Sequence, residues 1–267
     1  MRKRVIARLK ELTGHDFVEV VTRGNSAIRS ALRLVKKGLL IPLEGGWLSY
    51  KDYPEKMGLK FEFVDCKDAK IDIGGLKEKL SGGEFDVFLY QNPGGYFAEQ
   101  PMKEICEVRK EYACLVFSDA SGGIGTDLCD GKFADVILGS FGRWKLVEAK
   151  GGGFISSKNE EVFEKLELEV LEDTKQWKII EKELKKLPKR IDLLLKEREL
   201  VITDLKSFDV LYKDDLGFVV VVAYDDLEDK EKIVKYCKEH KLEFTECPRY
   251  IRVQRNAISI ELKRNIK

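Results

Sequence analysis

Histidine is almost missing from this chain: His15 and His240 are the only two in 267 residues, and none of the six cysteines (Cys66, Cys106, Cys114, Cys129, Cys237, Cys247) belongs to a Cys-x-x-Cys pair. A structural zinc site needs four such ligands at short regular spacing, so the pattern argues against a metal centre. Scattered thiols in apolar or helical surroundings, as around Cys114, read as reduced core residues of a cytoplasmic protein. Long apolar runs are also lacking. Stretches such as Gly217 to Ala223 fall far below the roughly 20 residues of a bilayer-spanning helix. The basic start at Arg2, Lys3 and Arg4 has no signal-type apolar core behind it, which again predicts a cytoplasmic location. Nor is there an excess of one charge: 48 basic against 47 acidic residues leave a net charge of +1, with no global field to gather nucleic acid or an anionic membrane.

What is present is a soluble composition, 43% hydrophobic and 36% charged, enough for a large core in one or two domains. Its richness in Lys and Glu suits a high-temperature source. From residue 17 to 156, short β-rich apolar runs alternate with glycine turns and segments of helical periodicity, which predicts an α/β sheet. The expected strands are Phe17 to Val21, Gly38 to Pro42, Lys60 to Val64, Asp86 to Tyr90, Cys114 to Ser118, Asp135 to Ser140 and Gly153 to Ser156. Ser26 to Lys37 and Met102 to Tyr112 carry apolar positions at helical spacing and are expected to cover the sheet.

After Ser157 the turn glycines thin out and a charged helical region begins, expected to break at Leu187 to Lys189 around Pro188. A strand at Gly217 to Tyr224, a helix at Asp229 to His240, then Leu242 to Thr245 and β-like runs at Tyr250 to Gln254 and Ala257 to Leu262 predict a small α+β domain. The expected division is therefore residues 1–157, with a polar arm over 1–16, and residues 158–267. His15 and His240 receive no role.

In open α/β sheets ligands sit beyond the carboxyl ends of the strands, so the residues following each strand are the candidates for chemistry. Gly24, Asn25 and Ser26 open a helix after the first strand and could offer backbone N–H groups and a hydroxyl to an anion, or serve simply as a turn and cap. Asp119 follows the fifth strand, beside the glycines at 122 and 123. The sixth strand ends at Ser140 and leads through Phe141 and Gly142 to Lys145, followed by Gly151 to Gly153. A lysine near cationic neighbours, here Arg143 or Lys150, loses proton affinity and can attack an aldehyde.

Taken in order, Gly24-Asn25-Ser26-Ala27, the aromatic loop at Trp47, Asp119-Ala120-Ser121-Gly122-Gly123 and Ser140-Phe141 five residues before Lys145 resemble the fold-type I pyridoxal-phosphate enzymes. The nearest likeness is to the DegT family of sugar aminotransferases. It covers roughly residues 20 to 157. The lysine loop is also similar to those of cysteine desulfurases and glycine decarboxylases.

The resemblance implies a seven-stranded, mostly parallel large domain, pyridoxal 5'-phosphate as cofactor and amino-group transfer between an amino donor and a keto acceptor. It implies that Lys145 holds the cofactor as an aldimine and moves the substrate proton, and that Asp119 pairs with the pyridine nitrogen. Gly24, Asn25, Ser26 and Ser140 would bind the phosphate, Trp47 would stack on the ring, and Asn92 would bond the ring hydroxyl unless it only begins a turn. Arg252 or Arg255 would clamp a substrate carboxylate. Relatives carry a glutamine where this chain has Gly122, and the region after Ser157 is short for the family. A homodimer with small-molecule substrates is implied, without nucleic acid or membrane. Cys247 opens the alternative of a desulfurase or other carbon-sulfur lyase, and the reduced C-terminal part that of a non-catalytic protein of the same fold.

Overall fold

Alternation within the strands decides which face each residue enters. In the computed structural model, which describes residues 1–265, the large sheet consists of β1 (Phe17–Val21), β2 (Leu39–Pro42), β3 (Phe61–Val64), β4 (Val87–Gln91), β5 (Leu115–Asp119), β6 (Val136–Ser140) and β7 (Gly153–Ser157). Their order is β1-β7-β6-β5-β4-β2-β3. β7 runs antiparallel to both its neighbours, and the remaining pairs are parallel. Val87, Leu89, Phe117 and Leu138 enter one apolar layer while Phe88, Tyr90, Val116 and Ile137 enter the other, as a period of two requires. Both faces are therefore covered, as expected of a parallel sheet.

The first layer is closed by α2 (Gly24–Leu32), which buries Ala27, Ile28, Ala31 and Leu32, and by Tyr50 of α3 (Ser49–Met57). The second is closed by α1 (Arg2–Thr13), α4 (Ile73–Ser81), α5 (Met102–Tyr112) and the long α7 (Thr174–Asp204), with the short α6 (Glu160–Glu164) preceding α7. The smaller C-terminal part is an antiparallel sheet of β8 (Asp209–Val210), β9 (Val220–Ala223), β11 (Ala257–Ile260) and β10 (Phe244–Cys247), in that order. Ile233 and Cys237 of α8 (Leu227–Glu239) join its core, and α9 (Leu262–Asn265) ends the described chain.

Several expectations need correction. Residues 1–16 are not a polar arm, because α1 carries Val5 and Leu9 one turn apart and buries both, ending on Gly14 in the left-handed conformation. α7 runs unbroken through Pro188, which lies on the solvent side while Leu184, Leu187 and Ile191 face the core. α2 stops at Leu32, short of Lys37. Tyr250 to Gln254 is a turn, not a strand: Arg252 N–H bonds Arg249 C=O at 2.9 Å and Arg249 N–H bonds Val253 C=O at 2.8 Å. α3 and α4 were not expected, since their apolar positions are too sparse to produce a clear helical period.

Candidate active site

Four strand ends converge on one space. β1 ends at Val21 and feeds α2, β2 leads to Trp47, β5 ends on Asp119, and β6 ends on Ser140 before the lysine loop. A chamber of about 50 Å³ is lined by Gly24, Asn25, Trp47, Tyr96, Asp119 and Lys145, with Ile28, Ser121 and Ser140 completing the wall. Through Gly24, Asn25 and Ser140 it adjoins a cleft of about 420 Å³ that also meets Arg23, Lys150 and Gln176.

The lysine loop is anchored on both sides of the amine. Phe141 stacks on Phe154 at 5.6 Å, Leu146 and Val147 are buried, and Ala149 N–H bonds Phe141 C=O at 2.9 Å. From α7, the Gln176 amide donates to Ala149 C=O at 2.9 Å and Gly151 C=O at 2.8 Å, and Arg190 pairs with Glu148 at 3.0 Å. Trp144 adopts φ +59°, a left-handed turn that delivers the next residue inward. The Lys145 amine then lies 4.8 Å from the ring centres of both Trp47 and Tyr96 and donates to the Tyr96 hydroxyl.

Asp119 is buried and held from two directions. Tyr50 donates its hydroxyl to Oδ2 at 2.8 Å, and Ser121 N–H donates to Oδ1 at 2.8 Å. Burial, followed by the Asp119 charge, pushes the Tyr50 phenol well above its ordinary range, so it remains a donor. Each carboxylate oxygen keeps a further acceptor site. Trp47 is fixed by its indole N–H on Asn25 Oδ1 at 3.2 Å.

Gly24 has a steric reason to be glycine. A Cβ there would stand 2.5 Å from Ser140 Cβ and 2.9 Å from Ser140 Oγ, so only glycine lets the start of α2 pack against the end of β6. The adjoining cleft, lined by Gly24, Asn25 and Ser140, lies at the start of α2, where backbone N–H groups and the positive end of the helix dipole favour an anion. The donor set fits pyridoxal phosphate in kind: an amine and a carboxylate on one chamber, an aromatic wall, and an anion cradle beside them.

Gly24, Asn25, Trp47, Asp119, Ser140 and Lys145 are brought together. Four other candidates have different partners. Ser26 caps its own helix: its hydroxyl accepts from Arg23 N–H at 3.0 Å and lies 2.8 Å from Thr22 Oγ1. Asn92 is fully buried, donating to Leu128 C=O at 3.2 Å and accepting from Gln100 N–H at 3.1 Å, so it braces the turn after β4. Arg252 is buried, and one of its terminal nitrogens donates to both Glu261 oxygens, at 2.7 and 2.8 Å. Arg255 is exposed and faces Asp209 at 3.2 Å and Asp68 at 3.5 Å. Cys247 is buried at the end of β10, and burial raises its thiol, the opposite of what a sulfur-accepting thiolate needs.

Tyr50, Tyr96 and Lys263 were not anticipated. Tyr96 follows Gly94 and Gly95 in the turn after β4, whereas Tyr50 and Lys263 reach the site by packing alone. The absence of a glutamine at 122 has a cause as well: a Cβ on Gly122 would fall 2.5 Å from Tyr96 Cδ1, so the tyrosine ring occupies the space a side chain would use.

Comparison with known proteins agrees with this architecture. The topology is that of the fold-type I pyridoxal-phosphate enzymes. A DegT DnrJ EryC1 StrS aminotransferase from Brucella abortus superposes with TM-score 0.77, covering 97% of this chain and 84% of that one at 12% identity. NtdA from Bacillus subtilis, whose structure holds the cofactor PMP, superposes with TM-score 0.77 over 99% of this chain and 74% of that one at 16% identity. In sequence, a UDP-4-amino-4,6-dideoxy-N-acetyl-beta-L-altrosamine transaminase of Campylobacter jejuni is 32% identical over 117 residues, 42% of this chain. The chain spans only 31% of that relative's length. Residues 168–267 match the MJ1341 family C-terminal domain.

Proposed function

We propose that the protein is a pyridoxal-phosphate-dependent aminotransferase, with Lys145 as the residue that carries the cofactor. The observation behind this reading is that Lys145 and Asp119, from separate strand ends, line one chamber beside the cleft lined by Gly24, Asn25 and Ser140. When bound, pyridoxal phosphate supplies an electron sink for bonds at the substrate α-carbon. Lys145 would hold it covalently and carry a proton to and from that carbon. Asp119, oriented by Tyr50 and Ser121, would pair with the ring nitrogen. Gly24, Asn25 and Ser140 would receive the phosphate, and Trp47 would cover a ring face and exclude water.

Amino donor and keto acceptor are small molecules in this reading, and the sugar-nucleotide name of the Campylobacter jejuni relative makes an amino sugar one acceptor to try. The homodimer belongs to the same proposal. Leu48 and Trp144, next in sequence to Trp47 and Lys145, are 47% and 43% exposed and would be covered by a second chain. Six free thiols support a reducing, cytoplasmic setting, and among the described residues no helix is long and apolar enough to cross a membrane.

The test is to add pyridoxal phosphate, reduce with borohydride and map the adduct. It is expected at Lys145 and lost in Lys145→Ala. An adduct at Lys145, with unreduced protein whose visible absorption no amino donor changes, would favour a non-catalytic protein of this fold. No adduct at Lys145 would remove the reading altogether.

A further inference from the structure

Tyr96 occupies an unusual position for a side chain of its size. Its backbone is left-handed, with φ +69°, a conformation that costs a non-glycine residue free energy and persists only when the surroundings enforce it. Three contacts do so. Gly122 leaves room for the ring, as described above. Phe218, just before β9, donates its N–H to Tyr96 C=O at 2.8 Å. The amine of Lys263, on α9, lies 3.1 Å from the ring centre, close enough to direct an N–H at the aromatic face.

Lys263 is itself out of place by ordinary expectation. It is buried, 4% exposed, although lysine is almost never fully buried without a partner. The groups around it are Tyr96 and Lys145 from the large-sheet loops, Arg252 from the turn after β10, and Glu261 and Arg264 from its own segment. Glu261 is already taken by Arg252, with Ser259 donating to it at 3.0 Å and Thr245 at 3.2 Å. Burial first, then the Arg252 and Lys145 charges, push the Lys263 amine well below the usual lysine range. Among the described residues, the close contact recorded for its amine is the ring whose hydroxyl meets Lys145.

We propose that Lys263 is a positioning residue for Lys145, acting through Tyr96: its amine holds the ring over Gly122, and the ring's hydroxyl holds the Lys145 amine towards the chamber. The C-terminal part thereby orients the reactive lysine of the large domain without touching it. This inference rests on Lys145 being the cofactor lysine, so its test includes a measurement that needs no cofactor.

In protein carrying 13C at lysine Cε, the Lys145 signal, identified by its loss in Lys145→Arg, is expected apart from those of exposed lysines because two aromatic rings flank it. Lys263→Met, an apolar replacement of similar length that keeps the core filled, is expected to move that signal towards the exposed set, and Lys263→Arg to restore it. In parallel, capture of pyridoxal phosphate by Lys145 under cyanoborohydride is expected to slow about five- to tenfold in Lys263→Met and in Tyr96→Phe, the scale of one lost hydrogen bond. The double variant should be no slower than either single one. A Lys145 signal and capture rate unchanged in Lys263→Met would overturn the proposal. If Lys145 captured no cofactor in the parent protein while its signal still followed Lys263, the positioning would stand and the aminotransferase reading would fail.

Discussion

The Tyr50 hydroxyl donates to Asp119 Oδ2 at 2.8 Å from a side chain with no solvent exposure. A helix on one side of the large sheet thus fixes the orientation of the carboxylate at the tip of β5. Tyr50→Phe removes that donor and keeps the ring. The expected result is a loss of about 1–3 kcal/mol in stability, read by urea unfolding, because a buried carboxylate loses a hydrogen bond. Cofactor affinity, read by titration of the visible absorption, should fall with it. Unchanged affinity would separate Asp119 from the cofactor.

Gly122 answers a different question, why the chain lacks a side chain there. Gly122→Ala places a methyl where Tyr96 Cδ1 would be 2.5 Å away, so the tyrosine must move. Overpacking of this kind costs about 1–3 kcal/mol, measurable by chemical denaturation. In the Gly122→Ala, Tyr96→Ala double variant most of that cost should vanish, and a penalty that persists would place the obstruction elsewhere.

Ser26→Ala distinguishes a helix cap from a ligand contact. The hydroxyl accepts from Arg23 N–H at the start of α2. Stability is expected to fall by about 1 kcal/mol while cofactor affinity stays as it was. A large drop in affinity, with little loss of stability, would return Ser26 to the phosphate site.

The ion pair of Arg252 with Glu261 sets the acid limit of the C-terminal part. Burial alone would raise the Glu261 carboxyl, but Arg252, Lys263 and Arg264 outweigh it and take it from 4.5 to about 2. A carboxyl depressed in the folded state contributes stability above its ordinary value, and that contribution is lost as pH falls from about 4.5 through about 2. Glu261→Gln leaves Arg252 without its charge partner and is expected to cost about 3–5 kcal/mol at neutral pH. Its stability should also decline less steeply than the parent's between those two pH values, as read by denaturation at a series of pH values. Equal slopes would mean that Glu261 is not depressed.

Sequence by itself determined the strands of the large sheet, because period-two apolar runs bounded by glycine survive as local signals. It also placed Asp119 and Ser140 at strand ends and Lys145 in the loop beyond, the region where open α/β sheets commonly hold ligands. Tertiary structure decided the rest. Arg252 and Asn92 have the right chemistry for ligand contacts, yet Glu261 in one case and the backbone of Leu128 and Gln100 in the other satisfy them, and no local pattern announces a partner distant in the chain. Tyr50, Tyr96 and Lys263 come from a weak helix, a turn and the chain's last described helix. Their meeting around Asp119 and Lys145 is a consequence of packing, since a long side chain reaches whatever the fold sets beside it and its sequence neighbours carry no record of that.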